Sequence, residues 1–486
     1  MANNKKIFAN YTSSLWSMFA IFFFLPFFLV YLGPKQFGIF ALITILQSGM
    51  SLLDFGISAT VKQGMAVGRN KKLIINTYEP ILVLIIALIA LVIYLLSSYL
   101  LNNLSILAIN DISSALFYWV VLLLLSSMMI NFYTSVLWGM NRQVEVSLIN
   151  IFFSATKHIG GVIVAIIYNE ILYVIIFQAT SSLVILILIR GYISFIGYKL
   201  MWFKGGVIKK ARLLRVNSKY TIGALLLSTI TFLNYQFDKI VLTSEISIEF
   251  LGYYSLLFTL SQVSVSIASP LSHSYYPLFA KLIFGKDQNS SKSLSLEYSN
   301  CFSLLSALLI PVILTLLFFG YQILEVWTMN SVVAETMSGI IVIMIIAGAL
   351  QSLQTLPYNI MMAAKKSMAL TKIYVFVTAI YVLLCLLLIQ KYGLFGAAIS
   401  WLSYNIISTA LIYIYIIKNY QIQLTTINNI TITFVLNLLV IYFVFIMSDG
   451  LNVMLLISIL IALMLLNIRY LTPNRWQAIF VKKHLN

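Results

Sequence analysis

Apolar residues fill this chain in long blocks, separated by short polar clusters at near-regular intervals. A helix that crosses a bilayer needs ~20 mostly apolar residues, because the hydrocarbon core is ~30 Å thick and each residue rises ~1.5 Å. Fourteen blocks qualify: 11–31, 37–60, 78–100, 113–137, 147–167, 171–191, 219–242, 251–275, 298–320, 335–357, 373–390, 394–417, 427–447 and 451–468. The stretch 80–110 holds no charged side chain at all. Most connections are short. The longest, 192–218, is basic, contains Gly205 and Gly206, and is a natural boundary. The predicted organisation is an N-terminal lobe of six helices at 1–191, a basic cytoplasmic linker at 192–218, a second six-helix lobe at 219–417, and two further helices with a basic tail at 418–486.

Polar residues inside the blocks are also patterned. The second block carries Thr44, Gln47, Ser51, Asp54 and Ser58, at spacings of 3, 4, 3 and 4, which is one face of a helix. The eighth carries Thr259, Gln262, Ser266, Ser269 and His273 at the same spacings, each 215 positions after its counterpart. Six crossings return a chain to its starting side, so the two lobes are expected to be pseudo-symmetric repeats with one orientation. Parallel repeats suit a transporter that rocks two lobes about a central site.

Charge sets the orientation. With the N-terminus in the cytoplasm, 26 of the 30 Lys and Arg residues fall in cytoplasmic segments. The outer loops keep only Lys35 and Lys391, and Lys157 and Lys239 fall inside helices. This bias predicts both termini inside. The net charge of +17 then reads as a topology signal and as contact with anionic membrane lipids, so no nucleic-acid partner is expected. Composition agrees: 61% hydrophobic and 9% charged residues, against ~45–50% and ~25% in soluble domains, is not that of a water-soluble enzyme. Lys5 and Lys6 precede an apolar run with no small-residue cleavage site, so a retained first helix is expected. Cys301 and Cys385 each lie in an apolar run, and no disulfide framework is implied.

An ionisable group at bilayer depth costs at least ~2.5 kcal/mol and usually faces the protein interior or water. Lys157 lies midway along the fifth block, followed by His158, on a stripe with Asn150, Ser154 and Gly161. Two readings stand open: a lumen cation for phosphates or acidic sugars, or a structural partner of an acid such as Asp54. Asp54 is a partner for Lys157, a carrier of a coupling proton, or a group that closes a lobe by hydrogen bonding. Asp238 shares a stripe with Ser228, Thr231 and Tyr235, and is a substrate contact or a gate. Lys239 sits about 100° round the helix and is expected to snorkel outward. His273 is a phosphate or proton site, or an ordinary hydrogen-bonded histidine. The candidate substrate cavity is therefore Gln47, Ser51, Asp54, Lys157, His158, Asp238, Gln262 and His273, with Lys62 and Arg142 at its inner mouth. These groups are expected to converge on a water-filled space. Pro26, Pro270 and Pro311 are expected to kink their helices.

Several chemistries lack their residues. No Gly-rich loop precedes Lys-Ser/Thr, no Cys/His cluster has metal spacing, and three histidines offer no Ser-His-Asp set. No enzyme activity, cofactor or metal is expected.

With those residues laid out, the chain resembles the Wzx-type polysaccharide flippases of the multidrug/oligosaccharidyl-lipid/polysaccharide exporter superfamily. The resemblance rests on Tyr31-Leu32-Gly33 with Phe37-Gly38-Ile39, on Leu53-Asp54-Phe55-Gly56-Ile57, and on Phe237-Asp238-Lys239-Ile240-Val241-Leu242. It continues in Leu251-Gly252-Tyr253-Tyr254-Ser255, Tyr276-Pro277-Leu278-Phe279-Ala280-Lys281, Ile323-Leu324-Glu325-Val326-Trp327 and Tyr392-Gly393-Leu394-Phe395-Gly396-Ala397-Ala398. It covers the chain to about residue 417. It implies two six-helix lobes around a cationic central cavity. It further implies alternating-access movement of an undecaprenyl-diphosphate-linked oligosaccharide, for O-antigen or a related surface polysaccharide, across a bacterial inner membrane. Coupling to H+ or Na+ and partnership with a polysaccharide polymerase and chain-length machinery belong to the same implication. Two rivals share the superfamily. A cation exporter would want an acidic cavity, and a peptidoglycan-precursor flippase would want several arginines in the first lobe.

Overall fold

The computed structural model describes residues 2–67, 70–97, 113–198, 206–284, 290–420, 422, 427–447 and 453–471. Every regular element among them is helical. An apolar chain in lipid has no water to satisfy its N–H and C=O groups, so each segment must satisfy its own, and a helix does this. In order the elements are α1 (Ala2–Leu53), α2 (Ile57–Val67), α3 (Lys71–Leu95), α4 (Ser114–Gly139), α5 (Gln143–Ala155), a π turn (Thr156–Gly160), α6 (Gly161–Tyr168), α7 (Ile171–Phe195), α8 (Val207–Leu242), α9 (Ile248–Ser261), α10 (Val263–Phe284), α11 (Ser290–Thr328), α12 (Ser331–Ala363), α13 (Ser367–Tyr392), α14 (Leu394–Tyr420), α15 (Ile427–Met447) and α16 (Val453–Leu471). Ten helical stretches among the described residues are long and apolar enough to cross a membrane. The chain is an all-α, multi-pass membrane protein.

Local chemistry sets the ends. Asn70 caps α3 by accepting from Leu73 N at 3.1 Å, Ser113 caps α4 from Leu116 N at 3.1 Å, and Asn330 caps α12 from Val332 N at 3.0 Å. α1 carries two of the predicted spans on one element, bent at Gly33 (φ 77°). Gly33 precedes Pro34, and a residue before proline is pushed out of the helical region. The break in helical geometry therefore falls here, and Pro26 lies within the first arm. The second predicted span is itself broken, because Asp54-Phe55-Gly56 forms a turn between α1 and α2 with Phe55 and Gly56 in left-handed conformations.

The chain forms two compact units, residues 1–255 and 256–486. In the first, α2, α3, α4 and α7 share a core around Val61, Met65, Leu82, Phe132, Val136 and Ile189. α8 packs on α1, α2 and α3. Asn217 Nδ2 donates to Tyr78 OH at 3.2 Å, and Thr60 and Thr221 share a hydroxyl hydrogen bond at 2.9 Å. Gly56 lets the two backbones meet, since any Cβ there would strike Thr221 O. In the second unit, α10, α11, α12 and α14 surround Phe279, Tyr298, Cys301, Leu356, Ile360 and Ile412. Cys301 and Cys385 are both buried and free. α15 and α16 pack against α11, where Asn437 and Asn467 exchange side-chain bonds at 2.9 and 3.2 Å and Asn467 Nδ2 reaches Ala307 O at 3.3 Å.

Candidate functional site

The helix that carries Lys157 does not run straight. Between α5 and α6 it widens into the π turn Thr156–Gly160, which accommodates one extra residue. Two glycines let its neighbours close in. A Cβ on Gly160 would lie 2.5 Å from the Phe177 ring of α7, and one on Gly161 would lie 3.0 Å from Phe28 of α1. A π turn disturbs the backbone ladder, and here Gln178 Nε2 of α7 donates to Lys157 O at 3.3 Å. Lys157 Nζ points to α1 and donates to Gln47 Oε1 at 2.7 Å. Among the described residues Lys157 forms no ion pair, so Asp54 is not its partner. His158, beside it, is buried, and no partner for its Nδ1 lies among the described residues.

Asp54 works on its own loop. Its Oδ1 accepts from Gly56 N at 2.7 Å, the short-range bond that aspartate uses to build turns. The side chain of Ser51 lies outside the described residues.

Asp238 is fully buried near the end of α8. Its Oδ2 accepts from Tyr254 OH at 2.7 Å, and its Oδ1 lies 3.3 Å from Lys239 Nζ. Lys239 was expected to snorkel outward. Instead its ammonium donates to Tyr235 O at 2.6 Å and it is 3% exposed. A flexible four-carbon stem spans the ~100° between neighbours and neutralises the acid.

The sequence reading missed a third centre. Glu79 of α3 is 1% exposed; it accepts from Tyr133 OH of α4 at 2.7 Å and lies 2.8 Å from Arg190 Nε of α7. Arg190 is one of the 26 cations that the charge bias assigns to cytoplasmic segments, but it sits inside α7 with its head group turned in, and it also donates to Tyr198 O at 3.1 Å. The available signal was a lone acid and a lone base at matching ends of apolar blocks. Arg142 pairs with Glu145 at 3.2 Å and with the Tyr192 hydroxyl, while Lys62 sits over the Trp138 ring at 4.6 Å.

In the second unit, Gln262 marks the break between α9 and α10, and its Nε2 donates to Gln351 Oε1 of α12 at 3.1 Å. One helical face further on, Ser272 and Thr355 share a bond at 2.8 Å. His273 is exposed. The structure thus joins Gln47 to Lys157 in the first unit, with His158 buried next to Lys157 in sequence, and sets Asp54 and Asp238 in separate internal networks.

Residues 4–283, more than half of the chain, match the profile of the polysaccharide biosynthesis protein family. The chain belongs to this family. The match takes in nearly all of the first unit, including the π turn and both acid–hydroxyl networks. A Shigella flexneri protein named "Putative O-antigen transporter" is 22% identical over 409 residues, covering 78% of this polysaccharide biosynthesis protein and 89% of the relative. Among solved structures, an inward closed conformation of the lipid II flippase MurJ aligns with a TM-score of 0.67 at 14% identity, over 99% of each chain. An inward-facing multidrug resistance MATE family transporter of the same exporter superfamily aligns with a TM-score of 0.58 at 13% identity, over 83% of this chain and 94% of its own. The fold is therefore the one shared by that superfamily.

Proposed function

We propose that this polysaccharide biosynthesis protein is a flippase for undecaprenyl-diphosphate-linked oligosaccharides, moving O-antigen or related repeat units from the cytoplasmic to the periplasmic face of the inner membrane by alternating access. Both termini lie in the cytoplasm in this reading. A proton or sodium gradient drives the cycle, and a polymerase and chain-length machinery take the product. Family membership and a transporter fold support the class. Lys157 carries the reading within it. It is an ammonium held at mid-helix by a neutral amide, Gln47, with no carboxylate to neutralise it among the described residues. A diphosphate is the kind of group that such a charge attracts. A cation exporter would need free acids at depth, whereas Asp54, Glu79 and Asp238 are all engaged by their own chain.

The test is complementation. The gene is deleted in its own host and restored as wild type or Lys157→Ala, and surface polysaccharide is stained. The expected outcome is loss of polysaccharide on deletion, accumulation of lipid-linked repeat units on the inner face, and no rescue by Lys157→Ala at normal expression. Unchanged polysaccharide with new sensitivity to cationic drugs would overturn the proposal.

A further inference from the structure

α8 is longer than a bilayer crossing needs, and the sequence places a crossing only over 219–242. Its 36 residues measure about 54 Å, against ~30 Å of hydrocarbon. The excess lies at its start, where Lys209, Lys210, Arg212, Arg215 and Lys219 fall within thirteen residues. One side of this overhang is docked on the first unit through Leu213, Asn217 and Thr221. At ~100° per residue these three share an arc of ~80°. Lys209, Arg212, Arg215 and Lys219 share a different arc of ~120°, facing away from it. All four are exposed, and among the described residues none forms an ion pair. Ile208 and Val216 lie on the same arc and are 79% and 72% exposed. Bulk water disfavours the aliphatic pair, and hydrocarbon disfavours the cations. The headgroup layer of an anionic leaflet suits both.

The arc borders a cavity of about 260 Å³. Leu214, Ser218 and Ile222 of α8 form one wall, and Phe55, Tyr78 and Ile81 form the other. Its lining is apolar except for hydroxyls. The left-handed turn at Phe55 and Gly56 leaves the Phe55 side chain 47% exposed beside it. Arg215 and Lys219 follow the lining residues Leu214 and Ser218 in sequence, so two cations with no ion pair among the described residues stand beside an apolar slot.

We infer that the start of α8 and this cavity bind an anionic phospholipid of the adjacent leaflet, with its phosphate against Arg215 and Lys219 and part of one acyl chain in the slot. The inference rests on the membrane-spanning fold and not on the transported substrate.

Native mass spectrometry of the detergent-purified full chain, titrated with phosphatidylglycerol or phosphatidylcholine, tests it. Wild type should retain one phosphatidylglycerol and release phosphatidylcholine. At ~1 kcal/mol per cation, Arg212→Gln/Arg215→Gln/Lys219→Gln should weaken retention about a hundredfold. Ser218→Trp, which fills the slot and leaves the charge unchanged, should also abolish retention. Arg212→Lys/Arg215→Lys should keep it, and so should a control in the second unit, Lys365→Gln/Lys366→Gln/Lys372→Gln. Equal retention of both lipids, unchanged retention in the triple variant or in Ser218→Trp, or binding of undecaprenyl phosphate in place of phosphatidylglycerol would overturn the inference.

Discussion

The first unit holds two half-buried cations in opposite ways. Arg190 meets a full carboxylate, Glu79, whose Oε1 also accepts from Tyr133. Lys157 meets only the amide oxygen of Gln47. Desolvating a charge costs several kcal/mol, and an opposite charge with good hydrogen bonds offsets that. Arg190 is compensated as structural ions are. Lys157 has no such carboxylate among the described residues. On the proposed function, the contrast separates a group that holds helices together from a group that meets the substrate.

Breaking the compensated centre should cost most. Glu79→Ala strands Arg190, and a loss of ~3–5 kcal/mol is expected, read as a collapse of the folded fraction in heated detergent extracts. If the variant melts like wild type, the centre is not structural. Tyr254→Phe tests the sister network at Asp238. Removing a hydrogen bond to a charged acceptor should cost ~1.5–3 kcal/mol, seen as a lower melting temperature without loss of insertion. Gly160→Ala presses a methyl group into the Phe177 ring, and overpacking of this kind costs ~1–3 kcal/mol. The double variant Gly160→Ala/Phe177→Leu should recover most of it, and no recovery would assign the cost to the π turn itself. The smallest stability effect belongs to Lys157→Met. Its melting temperature should match or exceed wild type, because no partner charge is stranded. Rescue of surface polysaccharide should nevertheless fail. A variant that melts early would place Lys157 among the structural ions and erase the contrast.

The spans were legible because length and apolarity are enough to specify them. The block 427–447 coincides with α15, and 394–417 opens where α14 opens. The break at Asp54-Phe55-Gly56 was not legible, because the apolar block continues through it and Asp54 fits a helical polar stripe equally well. Lys157 stood out as one charge in an apolar run. Its partner Gln47 lies 110 residues away, and nothing local announces that pairing. Glu79 and Arg190 escaped for a related reason: each sits where a block meets a loop, and loop charges are assigned to water by default. Only the packing of α3, α4 and α7 turned them inward. Lys239 was misread because one-dimensional spacing fixes where a Cβ points, not where a long stem ends.

The π turn at Thr156–Gly160 has a consequence for ancestry. Such a turn is what a helix becomes when it gains one residue and keeps its ends. A single-codon deletion there would restore an ordinary α-helix and leave its two sides in the register they have now. Only the residues of the turn itself, Lys157 among them, would change facing. Relatives lacking this residue will match the chain cleanly on either side of the turn and out of step within it. A lysine that does the same job will fall one column away, and a comparison of aligned columns alone will count it as lost.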